Sequence, residues 1–233
     1  MSKPIGKIPF LLGKYLGVSG ALSLLTFVNL LAVLVSTKIA FDSYGEPDLR
    51  ALGIFYGGMA LAFLIGAFMN YFLDRPFVGN TVFALVIVLT VAFIAISFLG
   101  RKGGVQSFGA DIDWRLIPAT LLLLFALWIL AGLALACTTR LDMVATLAIC
   151  SAFFVVGLMS DYLFGIPSSQ GNGLASVAYA VTPNWQVFWM SDALEGDKVI
   201  PWAYVGRAFE YALGYLAMTL ALAVALFQDR ELN

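Results

Sequence analysis

Three ionisable side chains stand inside or at the edge of long apolar runs, and they are the first candidates for chemistry. Asp161 occurs in LMSDYLFG, and Arg207 and Glu210 in VGRAFEYALGY. Charge at membrane depth is costly and often marks a substrate or ion path. Arg207 and Glu210 are at i, i+3, which puts them on one helical face where they can pair. Two readings stay open for the trio. They line a substrate path, or they make a structural pairing near one membrane surface, where Arg snorkels and a carboxylate stays wet. Asn29 and Asn70 are lone polar groups within apolar runs, expected to hydrogen-bond between helices.

The other reactive types are scarce. Histidine is absent, which removes the usual haem ligand and the side chain best suited to proton transfer near neutral pH. Cys137 and Cys150 have neither metal nor disulfide-framework spacing and read as small apolar residues. No metal cluster, nucleophile–base pair, phosphate-cradling glycine loop or dinucleotide fingerprint is present. The expectation is no catalytic residue, no metal and no cofactor.

A second group is basic. SKPIGKIPFLLGKYLG, Ser2–Gly17, sets Lys3, Lys7 and Lys14 among Pro4, Pro9 and three glycines, directly before an apolar run. The prolines fix φ and remove donors, so Ser2–Ile8 is not ordinary helix interior, whereas nothing stops a helix from Phe10 onward. Gly13, Gly17 and Ala21 share one face. By itself the stretch is a basic anchor ahead of a first span.

The elements that must position these residues are membrane helices. The chain is 61% hydrophobic and 12% charged, against roughly a quarter charged in soluble domains, and its mean hydropathy is +0.94. A net charge of −1 gives no field for nucleic acid. Six apolar segments, 16–41, 52–72, 78–99, 116–137, 143–164 and 204–227, are each long enough to cross roughly 30 Å of hydrocarbon. The predicted fold class is therefore all-α, a polytopic transmembrane helical bundle forming a single domain. Residues 1–15 lead in, 16–164 hold five spans, 165–202 form a long aromatic-rich extracytoplasmic segment, and 203–228 hold the last span. Trp185, Phe188 and Trp189 follow Pro183 in that long segment and suit a membrane–water boundary. TTRLD, Thr138–Asp142, is so short that its flanking segments must form a hairpin. The opening lysines favour a cytoplasmic N-terminus. Basic counts do not decide it: six of these residues would lie inside and seven outside.

Three stretches resemble the ABC-2 type transporter permeases, in the group related to multi-copper enzyme maturation. The N-terminal stretch is similar to a family pattern at Lys3, Pro4, Lys7, Phe10, Gly13, Lys14 and Gly17. WRLIPATLLLLFALWILAGLALACTTRLDMVATLAICSAFFVVGLMSDYLFG resembles the family's short-turn hairpin with its Thr-Thr-Arg turn and Ser-Asp end. TPNWQVFWMSDAL, a tyrosine-bearing last helix and the FQDREL end complete the likeness. The resemblance implies a permease subunit in a bacterial plasma (inner) membrane, paired as a homo- or heterodimer in the lipid bilayer. It moves an unidentified substrate with ATP bound and hydrolysed by a separate ABC ATPase subunit. It also implies that Lys3, Pro4, Lys7 and Lys14 belong to a cytoplasmic region that touches the ATPase. Family members carry two further helices before this stretch, and the segments 52–72 and 78–99 resemble an added hairpin. The alternative is a non-transporting scaffold or assembly subunit of a cell-envelope complex.

Overall fold

The computed structural model describes residues 6–39, 47–100, 104–190, 194 and 198–228. The fold is all-α, with long apolar helices α1 (Lys7–Ile39), α2 (Leu49–Leu73), α3 (Phe77–Phe98), α4 (Leu116–Thr138) and α5 (Met143–Leu158). A π turn (Asp161–Gly165), α6 (Ile166–Ser169), α7 (Gly173–Val181), a 3-10 turn (Trp185–Phe188) and α8 (Trp202–Gln228) follow. Five of these helices are each long and apolar enough to span a membrane. A sixth span forms if α5 and the turn after it count as one crossing, bent by 63°. These are the helices of a multi-pass membrane protein.

Two compact units divide the chain, Ser23–Ile117 and, together, Met1–Leu22 with Pro118–Asn233. The first is an α2–α3 hairpin packed with the later part of α1. Leu34, Val35, Phe55, Leu89, Phe93 and Ile96 form its core. The small-residue face of α2 is used for close packing. A Cβ on Gly58 would touch Ala92 at 3.4 Å, and one on Gly66 would collide with Thr81. The hairpin turns at Asp74, whose φ of 50° is the left-handed helix-ending conformation. Asp48 caps the start of α2 by accepting from the N–H groups of Arg50 and Ala51 at 3.1 Å each.

Lys38, one of the seven basic residues that the sequence puts on the outer side, is fully buried, at 0% exposure. Its Nζ donates to the carbonyl oxygens of Ile96 and Leu99 at the end of α3. A helix end leaves carbonyls without partners and carries partial negative charge, so an ammonium group meets both needs there.

The other unit packs the start of α1, α4, α5, the segment 166–190 and α8 around two cores. One joins Leu122, Phe125 and Ile129 to Trp185, Phe188 and Ala212; the other joins Leu11 and Tyr15 to Leu135, Ala136 and Ala223. At Gly132 a Cβ would stand 2.6 Å from the Thr219 hydroxyl, so α4 and α8 approach closely there. By contrast, nothing lies within 4 Å of a Cβ at Gly13 or Gly17.

Two sequence expectations fail locally. The lone asparagines bond to carbonyls close in sequence and not across to another helix, Asn29 Nδ2 to Leu25 O within α1 at 2.9 Å and Asn70 Nδ2 to Arg75 O in the turn after α2 at 2.8 Å. In both cases a carbonyl close in the chain is already within side-chain reach. The segment 143–164 is not one straight helix either. α5 stops at Leu158, and the ladder re-forms through the π turn before Pro167, which lacks an N–H.

Candidate functional site

The unit built from 118 onward has two chemically distinct ends. At one end α1 begins, the α4–α5 turn lies and α8 finishes. Pro9 stands in the first turn of α1, where its missing N–H costs nothing, so the helix begins at Lys7, ahead of Phe10 and well before the apolar segment that starts at residue 16. A cleft of about 170 Å3 is lined there by Phe10, Leu11, Lys14, Leu135, Thr138, Thr139 and Phe227. Phe10 stacks on Phe227 with ring centroids 6.2 Å apart. Arg140 Nε donates to Leu226 O at 2.8 Å, and Asp142 caps α5 by accepting from Ala145 N–H at 2.8 Å. Lys14 is exposed at the rim. Of the other proposed coupling residues, Lys3 and Pro4 lie outside the described residues, as does the side chain of Lys7.

The opposite end is an aromatic cap. Gly157 makes it possible, because a Cβ there would stand 2.6 Å from Pro183 O and collide with the Trp185 indole. Gln186 Nε2 donates to Leu158 O at 3.0 Å, satisfying a carbonyl freed where α5 stops. Three tyrosines of α8 at i, i+7 and i+11 hold the cap. Tyr204 Oη donates to Val187 O at 2.7 Å, Tyr211 Oη accepts from Asn184 N–H at 2.8 Å, and Tyr215 Oη donates to Ala180 O at 2.9 Å. This spacing was visible in the sequence, but its partners were not, because they lie in an irregular segment. Ser160 Oγ and Trp185 Nε1 are buried here without a hydrogen-bond partner among the described residues.

Asp161 sits in the π turn and accepts from Tyr179 Oη at 2.6 Å. That bond to the carboxylate is the main cause holding the Tyr179 phenol above its usual range. Arg207 and Glu210 are exposed in the first turns of α8, and among the described residues no salt bridge joins them. The trio is therefore not one constellation. Asp161 serves a local bond between the π turn and α7. The aromatic segment is an ordered cap with its own short helices. Among the described residues no group of three or more metal-ligating side chains comes together.

No protein-family model, curated protein or solved structure matches this chain.

Proposed function

We propose that the chain is the membrane-spanning permease subunit of an ABC-2 type transporter, working with a separate ATPase subunit. One observation carries the reading. The stretches resembling that family at the start of α1, at the Thr138–Arg140 turn and at the end of α8 are far apart in sequence. They meet around a single cleft, joined by the Phe10–Phe227 stack and the Arg140–Leu226 bond. A partner docking on this end would push on three helices at once. Lys14 stands at its rim to meet acidic groups of such a partner. Lys3, Pro4 and Lys7 precede it in the same stretch. The chain carries no nucleotide-binding loop, so hydrolysis belongs to the partner.

In this reading the α2–α3 hairpin is an addition. Its packing as one unit with the later part of α1 is consistent with that. The membrane is the cytoplasmic one, with the Lys14 end facing the cytosol. The test is affinity purification of the tagged full chain from its own membranes, followed by peptide sequencing and an ATP hydrolysis assay. The reading expects a stoichiometric subunit bearing a P-loop, and ATP-dependent transport after reconstitution. A stable complex with a protein lacking a nucleotide fold supports the scaffold alternative instead.

A further inference from the structure

Ser151, Phe154, Val155 and Leu158 stand at i, i+3, i+4 and i+7, one stripe along α5. Two recesses follow this stripe and share Phe154 as a wall. One, about 510 Å3, lies among α1, α4 and α5, with Val18, Leu127, Ala131 and Cys150 in its lining. Its neighbour, about 580 Å3, is bounded by Phe154, Leu158, Gln186 and Trp189. Together they form a furrow along α5 that is almost wholly hydrocarbon at the first recess and carries an amide and an indole at its other end, the mouth.

Each volume falls within the range of small-molecule sites. Water does not suit the apolar recess, which offers it few polar partners. Val18 and Val155 are exposed on its walls, so it opens sideways onto the apolar surface of the spans. From Cys150 to Leu158 the furrow's lining on α5 rises about 12 Å at 1.5 Å per residue, close to one leaflet of a hydrocarbon core of roughly 30 Å. Trp189, exposed at the mouth, is a residue type that favours the headgroup boundary.

We propose that this furrow seats one bilayer phospholipid. Its acyl chain runs past Phe154 into the recess beside Ala131, and its ester and headgroup end lies against Gln186 and Trp189. The continuity of the recess with the lipid-facing surface, its length of one leaflet and its apolar-to-polar gradient all point to this occupant. The proposal does not depend on an ATPase partner and stands or falls separately from the transport reading.

The experiment uses the full chain in nanodiscs of phosphatidylcholine and phosphatidylglycerol, doped with a phosphatidylcholine carrying a diazirine midway along one acyl chain. After illumination, adducts are mapped by peptide mass spectrometry. Adducts at Val18, Ala131 and Ser151 are expected at least fivefold above those at Ile149, an exposed residue at similar depth on another face. Ala131→Phe fills the recess and should bring these adducts down to the Ile149 level, with labelling of Ile149 unchanged. Ser151→Phe approaches from the opposite wall and should do the same, which covers the case in which the first variant fails to fold. Furrow labelling no stronger than at Ile149 overturns the proposal. So does labelling indifferent to both fillings, or cross-linking of the furrow to a second copy of the chain.

Discussion

Arg140 Nε donates to the carbonyl oxygen of Leu226 at 2.8 Å, across 86 residues of sequence. The bond ties the α4–α5 turn to the last turn of α8, where carbonyls lack partners and the helix carries partial negative charge. Arg140→Gln should loosen this end. Because the site is exposed, the loss in stability should be about 1 kcal/mol, read as a lower midpoint in thermal unfolding. Faster hydrogen exchange confined to the end of α8 would accompany it. An unchanged midpoint and exchange pattern would show the bond to be incidental.

Glycine substitutions separate close packing from open lipid-facing positions. Gly157→Ala forces the cap outward against Pro183 and Trp185, an overpacking cost of about 1–3 kcal/mol. Trp185 packs against Phe154 with the rings tilted by 40° and their centroids 5.8 Å apart, so its fluorescence should shift as well. Gly13→Ala meets nothing within 4 Å and should be neutral or slightly stabilising. Equal melting temperatures for the two variants would contradict the close approach at Gly157.

Lys38→Met removes the buried ammonium group and strands carbonyl oxygen at the end of α3. The expected cost is about 1–3 kcal/mol, with increased hydrogen exchange around Phe98–Gly100. Wild-type stability in this variant would mean that the carbonyls are satisfied without the amine. The position also shows what the sequence could not reveal. STKIAF reads as the polar end of a span, and a lysine there counts naturally as an orientation charge. Its burial depends on where α3 ends relative to α1, which is tertiary information. The apolar runs and the α4–α5 hairpin were legible because helix length and loop length are local properties. The break after Leu158 was not legible. It depends on Trp185 lying over Gly157 and Gln186 capping Leu158, and both partners are nearly thirty residues away.

Asp113 and Arg115 give a pH-dependent contribution outside the spans. Arg115 Nε and Nη2 donate to the two carboxylate oxygens of Asp113 at 2.9 and 2.8 Å. These bonds hold the Asp113 carboxyl below its usual range. A carboxyl with a depressed folded-state value contributes stability above the unfolded value of about 4, and that contribution fades as the pH falls through the lower folded value. The pair is partly exposed, with 29% of each side chain accessible, so Asp113→Asn should cost less than about 1 kcal/mol at pH 7. Unfolding midpoints of the two proteins should converge on acidification below the usual carboxylate range. A gap that widens there would reverse the sign.

The most direct measurement concerns Lys14 and the stretch before it. The full chain carrying Lys3→Glu, Lys7→Glu and Lys14→Glu is purified beside wild type, and the ATPase subunit retained by each is quantified with thermal unfolding recorded in parallel. Docking of the proposed ATPase partner at the Phe10–Thr138–Phe227 cleft predicts at least a tenfold loss of that partner, equivalent to about 1.4 kcal/mol, with the unfolding midpoint of the chain unchanged. Undiminished association after triple reversal, or a wild-type chain that retains no ATPase subunit, contradicts the account.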